Sequence, residues 1–181
     1  MILYIARHGQ TDYNVQDRVC GVSEGILTDY GREQAKALGE KIRQVHIDKV
    51  YVSPLKRAIE TAELALMGTG LDYEIEPRLI EHNFGECEGV LRLDPTFQFA
   101  KRNLGVKQPG GDSFLQLCHR AYGLIEDMRD KHPDESVLFV CHGTLGRAMR
   151  TYFVDMSNDD IYEYNMENCE LLRFEVNLKQ S

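Results

Sequence analysis

Short apolar runs alternate along this chain with stripes of helical period. Residues 1–6, 50–53 and 137–141 are nearly continuous apolar runs bounded by polar residues, which predicts strands buried on both faces. Between them the period changes. Ala35, Leu38, Ile42 and Val45 recur at spacings of three and four, which predicts a helix to about residue 45 with Thr28 as its N-cap. Ser53-Pro54 reads as a serine cap with proline at the first helical position. Ala58, Ala62 and Ala65 then form a small-residue stripe that allows close packing. Residues 113–131 predict a third helix, with Leu117, Tyr122, Leu124, Ile125 and Met128 toward the core. A fourth helix is expected from His142 to near Phe153, and a last strand over 170–176.

Strands alternating with helices predict an α/β fold of three layers, α/β/α, with a largely parallel sheet covered on both faces. Ligands bind such sheets at the carboxyl edge, where the helices start. The 181 residues are read as one domain, 1–181, with a weakly patterned, lid-like insertion at about 90–111.

Composition narrows the class. Hydrophobic residues make up 43% and charged residues 28%, which excludes a disordered, collagen-like or disulfide-scaffold chain. The apolar runs are too short to span a bilayer, and six residues before Arg7-His8 leave no room for a signal-peptide core. Five cysteines with no C-x-x-C are expected to be reduced, mostly core-filling thiols of a cytoplasmic protein. The net charge of −8 repels nucleic acid and membrane surfaces, so neither is an expected partner. A small anion is still a fitting ligand if cations are concentrated locally.

Such a concentration is visible in the sequence. The first strand empties into Arg7-His8-Gly9-Gln10-Thr11, with Asn14 shortly after, and the strand ending at Cys141 into His142-Gly143-Thr144, with Arg147 one turn on. Two strands thus bring a His-Gly to the same sheet edge. Ser53-Pro54-Leu55-Lys56-Arg57 follows a third strand there and places Arg57 in an early helical turn, where a cation is unfavourable without an anion. Arg7, Arg57, His8 and His142, with two or three helix N-termini, make a pocket suited to phosphate. A metal site is not expected: there is no H-x-H, no H-E-x-x-H and no Cys/His cluster, and arginines repel cations. His46, His82, His119 and His132 are expected at the surface or an interface. In the turn at 79–89, one of Glu81, Glu86 and Glu88 is a candidate general acid.

Taken in order, these motifs resemble the histidine phosphatase superfamily, also called phosphoglycerate mutase-like. The resemblance runs through Arg7-His8-Gly9-Gln10-Thr11 and Asn14, Leu27-Thr28-x-x-Gly31-x-x-Gln34-Ala35, Ser53-Pro54-Leu55-Lys56-Arg57-Ala58-x-x-Thr61-Ala62, Leu79-x-Glu81-x-x-Phe84-Gly85-x-x-Glu88-Gly89, and Val140-Cys141-His142-Gly143 with Arg147. It implies that His8 is the nucleophile and becomes a phosphohistidine. It further implies that Arg7, Arg57 and His142 contact the phosphoryl group with Asn14 assisting, and that Glu81 protonates the leaving oxygen. Gly9, Cys20, Gly21 and Gly143 are expected beside the substrate, with no metal or other cofactor. A backbone carbonyl, expected to be that of Gly9, would fix the His8 tautomer, and the arginines would lower the His8 pKa. The chain departs from the family pattern at Glu24, Ile26, Val90 and Asp112, none of which is a catalytic position.

The glycolytic mutases of this family carry a longer insertion after the Glu-Gly turn. The short segment 90–108 favours an open site, hence a small phosphomonoesterase resembling the alpha-ribazole and broad-specificity phosphatases. A mutase is the alternative, and a non-catalytic phospho-ligand module a further one, which the presence of His8, Glu81 and His142 together disfavours. Residues 90–108 hold Arg92, Lys101, Arg102 and Lys107 against one acid, Asp94. They read either as a substrate-facing lid or, the favoured reading, as a solvated helix with Phe97 and Phe99 turned inward. The sequence allows a homodimer and shows no interface for one.

Overall fold

In the computed structural model, residues 1–176 are described. The elements run β1 (Ile2–Arg7), α1 (Asp12–Val15), α2 (Asp29–Ile42), β2 (Lys49–Val52), α3 (Lys56–Leu66), β3 (Glu74–Ile75), α4 (Pro95–Arg102), α5 (Phe114–Lys131), β4 (Ser136–Cys141), α6 (Gly143–Arg150), α7 (Asn158–Glu163) and β5 (Leu171–Glu175). The strands form one sheet in the order β3-β2-β4-β1-β5. β1, β2, β3 and β4 are parallel, and β5 adds antiparallel to β1. The expected α/β/α layering and largely parallel sheet are therefore present.

Strand alternation assigns each face its layer. Tyr4 and Ala6 of β1, Val50 and Val52 of β2, and Leu138 and Val140 of β4 pack against α2 and α3. Leu3, Ile5, Tyr51, Val137, Phe139 and Cys141 point to the other face and pack against α5 and α6. The alanine stripe works as read: Ala58, Ala62 and Ala65 are fully buried. A Cβ at Gly39 of α2 would lie 2.5 Å from the Ala65 carbonyl oxygen, so the two helices need small residues on both sides.

The caps decide several boundaries. Thr28 does cap α2, its hydroxyl accepting from the Gly31 N–H at 2.9 Å, but the helix stops at Ile42 rather than residue 45. Ser113 caps α5 in a capping box with Gln116. Ser53-Pro54, in contrast, does not start a helix. α3 begins at Lys56 with Leu55 as its cap residue, and the Ser53 hydroxyl is instead 2.6 Å from His142 Nε2. α6 stops at Arg150, short of Phe153.

Two histidine expectations are corrected. His82 and His132 are buried, not at the surface. His82 Nε2 meets the Asp112 carbonyl, and His132 lies between the Tyr51 hydroxyl and the Glu135 carboxylate. Four of the five free cysteines are buried, and Cys20 is half-buried.

Candidate active site

β1, β2 and β4 are neighbours with parallel directions, so residues 7–8, 53 and 142 all emerge at one edge. A cavity of about 110 Å³ opens there. Its wall includes Arg7, His8, Asn14, Cys20, Glu81 and Gly143, six of the ten anticipated site residues. Gly9, Gly21, Arg57 and His142 are buried and do not line it.

His8 is buried, and its Nδ1 lies 2.7 Å from the Gly9 carbonyl oxygen. A carbonyl only accepts, so Nδ1 carries the proton and Nε2 keeps its lone pair. Burial, then the charges of Arg57 and Arg7, hold the His8 pKa well below the ordinary histidine value, while the Gly9 bond pulls weakly the other way. The His142 ring is 5.2 Å away, completely buried, and shifted downward by burial, Arg57 and His8. Its Nε2 is taken by Ser53 and its Nδ1 has no partner among the described residues.

The arginines are held by backbone. Arg57 is 1% exposed and donates to the carbonyls of Ser23 at 2.7 Å and Gly21 at 2.6 Å. Arg7 donates through Nη1 to the Met166 carbonyl, while its Nε has no partner among the described residues and its pKa is lowered to about 10, mainly by burial. The segment after α7 clamps the same strand end. Asn168 donates to the His8 carbonyl at 2.9 Å and the Cys169 N–H to the Arg7 carbonyl at 3.1 Å.

The structure separates the three glutamates. Glu86 is exposed. Glu88 accepts from the N–H groups of Gly21, Val22 and Phe84, so it organises the loop that Arg57 also grips. Glu81 alone lines the cavity. Its carboxylate accepts from the N–H groups of Thr144, Leu145 and its own neighbour His82 at 2.8–2.9 Å. The first turn of α6 is therefore occupied by Glu81, and the Lys56 N–H at the start of α3 is bonded by Glu24. Three of the N–H groups at helix starts expected to cradle phosphate are thus bonded to carboxylates.

Asn14 Oδ1 accepts from the Thr11 N–H in the capping box of α1. Cys20 holds its proton, its pKa pushed up to about 11 by burial, which makes it wall rather than nucleophile. Among the described residues no group of three or more His, Cys, Asp or Glu is placed to hold a metal.

The rest of the wall includes Thr144 and Arg147, which follow the His142-Gly143 motif, and residues that no motif announces. Tyr164 and Asn165 are among the latter, as are Arg92, Gln98 and Lys101 of the 90–108 segment. That segment folds as α4, with Asp94 as N-cap and Pro95 in its first turn. Phe97 is buried, but Phe99 is 62% exposed and Lys101 faces the cavity, so the solvated-helix reading holds only in part.

Comparison with known proteins gives the class. A family model described as the histidine phosphatase superfamily (branch 1) matches residues 3–180, and the chain belongs to that superfamily. It is an enzyme of the phosphatase class. Phosphoserine phosphatase 1 of Hydrogenobacter thermophilus is 27% identical over 174 residues, covering 92% of this chain and 82% of the relative. A 2,3-bisphosphoglycerate-dependent phosphoglycerate mutase of Cytophaga hutchinsonii is 30% identical over 171 residues, 88% of this chain and 80% of the relative. The solved alpha-ribazole phosphatase of Shigella flexneri superposes with a TM-score of 0.82 at 25% identity, covering 98% of this chain and 91% of that one.

Proposed function

We propose that the protein is a metal-independent phosphomonoesterase that acts on a small phosphorylated metabolite through a phosphohistidine on His8. The observation that carries this reading is the Gly9 carbonyl against His8 Nδ1, which leaves Nε2 unprotonated in a buried, cationic cavity. In the first half-reaction the Nε2 lone pair attacks phosphorus and the bond to the leaving oxygen breaks, that oxygen taking a proton from the Glu81 carboxyl group. In the second, water attacks phosphorus, returns the proton to Glu81, and the phosphorus–nitrogen bond breaks.

Charge develops on the equatorial oxygens of the phosphoryl group, where the free Nε of Arg7 is available. His142 fits the same role through Nδ1 if Ser53 donates its hydroxyl proton to Nε2. Each ring of the pair would then carry its proton on Nδ1. Arg57 supports the reading from behind, by charge and by fixing residues 21–23. The cationic surroundings of His8 also disfavour a metal ion, which supports metal independence.

A mutase reading has one observation in its favour: the basic wall formed by Arg92, Lys101 and Arg147. Phosphate release from an aryl phosphate, sugar phosphates, alpha-ribazole phosphate and 3-phosphoglycerate, in EDTA, tests both readings. Release that disappears in His8→Ala is the expected result. Isomerisation of 3-phosphoglycerate without release would establish the mutase instead.

A further inference from the structure

Lys101 and Arg147 have no counterpart in the chemistry described above. Arg147 is 9% exposed, lies on the cavity wall and stacks over Phe114 at 5.1 Å. Its Nε has no acceptor and it makes no ion pair among the described residues. A buried guanidinium in that position carries a desolvation cost that the aromatic face offsets only in part. Lys101 reaches the same cavity from α4, half-buried, with its ammonium 4.3 Å from the centre of the Tyr162 ring. It too lacks an ion-pair partner among the described residues.

α4 is anchored for this purpose. Gln98 Oε1 accepts from the Tyr162 hydroxyl on α7 and its amide N–H donates to the Arg92 carbonyl, so one carboxamide ties the helix carrying Lys101 to α7 and to the segment before it. In the proposed chemistry Arg7 serves the reacting phosphoryl group with Arg57 behind it, and Glu81, which faces both Arg7 and Arg147, is committed to proton transfer. Arg92 is in part offset by Asp17, 3.6 Å away. Lys101 and Arg147 are left over.

We infer that the substrate carries a second anionic group, a carboxylate or a second phosphate, and that Lys101 and Arg147 receive it. This rests on the phosphomonoesterase reading and assigns its substrate class. Lys101 accounts for a point charge on the α4 side, and Arg147 for a planar fork from α6, so both anion geometries are served.

The test compares kcat/KM within two substrate pairs, 3-phosphoglycerate against glycerol 3-phosphate, and fructose 1,6-bisphosphate against fructose 6-phosphate. An aryl phosphate serves as a reporter of the hydrolytic chemistry. In the wild type, at least one pair is expected to favour the member with the second anionic group by about tenfold to a hundredfold, the worth of a charge-assisted bond. The pair that does so identifies the second anion as carboxylate or phosphate. Lys101→Gln should bring that ratio toward unity. Arg147→Gln should do the same, and because Arg147 is buried, Lys101→Gln decides the matter if the arginine variant does not fold. Ratios near unity in the wild type, or a preference that both variants retain, overturn the inference while His8-dependent hydrolysis of the aryl phosphate upholds the enzyme reading. No release from any ester overturns both.

Discussion

The two ends of the cavity are built differently. At the strand edge, His8, His142, Arg7 and Arg57 are buried, and each has at least one polar atom committed to the protein. At the other end, Lys101 and Arg147 make no ion pair among the described residues and lean on aromatic faces. The first arrangement fixes geometry within the central sheet, as transfer of a phosphoryl group requires. The second leaves charge available to a partner. On the proposed reading, chemistry sits on strand ends and selectivity on a short helix and one turn of α6.

Substitutions at the strand edge should therefore act on every substrate alike. His8→Ala is expected to lose about 10⁴-fold or more in phosphate release, because no other group replaces the nucleophile. Rapid-quench labelling with a radioactive substrate should show loss of the acid-labile phosphoenzyme at the same time. Glu81→Gln should cost about 10²- to 10⁴-fold on an alkyl phosphate and far less on an aryl phosphate, whose leaving group needs no proton. Equal losses on both esters would remove Glu81 from the acid role. Arg57→Lys should lower kcat by about 10²-fold, since an ammonium cannot reach the two carbonyls of Gly21 and Ser23 together and still face the phosphoryl group. Near-normal turnover would confine Arg57 to holding the loop.

The same burial makes the strand edge sensitive to acid. His8 and His142 both have folded-state pKa values well below the ordinary one. Above about pH 6.5 they are neutral in both the folded and the unfolded chain. Below it the unfolded chain binds protons that the native one refuses, so stability falls as pH falls, by up to about 1.4 kcal/mol per pH unit for each histidine. Denaturant titrations between pH 7 and 5 should show a shallower slope for His142→Asn than for the wild type. The α4 end has a smaller, local counterpart. Asp94→Ala removes the cap that accepts from the Thr96 and Phe97 N–H groups and should cost about 1 kcal/mol. Hydrogen exchange should then quicken over residues 95–102 first.

What was legible in the sequence follows from what each residue answers to. The strand-end motifs were readable because an Arg-His-Gly or His-Gly after an apolar run has few purely structural explanations. The α4 wall was legible only as a basic segment, because Arg92 and Lys101 belong to no motif, and their convergence with Arg147 depends on how a short helix docks. Two similar dipeptides show the limit of local rules. Ser53-Pro54 carries a strong helix-start signal, yet its hydroxyl is drawn to His142 and the helix waits until Lys56. Asp94-Pro95 carries the same signal in a segment with little pattern, and there it does start a helix. Tertiary demand at the site overrode the first, and nothing competed with the second. His82 and His132 were misplaced for a related reason: each finds an internal polar partner, which no periodicity announces.

The clamp on the end of β1 has a consequence for the order in which the protein is made. Arg7 and His8 are translated early, but the carbonyl of Met166, the amide of Asn168 and the N–H of Cys169 that hold them come some 160 residues later. β1 also waits for β4 and then β5 to pair with it. Such long-range closure is slow compared with local helix formation. On the ribosome, a chain with its nucleophile already synthesised therefore has no assembled site. The strand edge is complete only once Met166, Asn168 and Cys169 have docked on the end of β1.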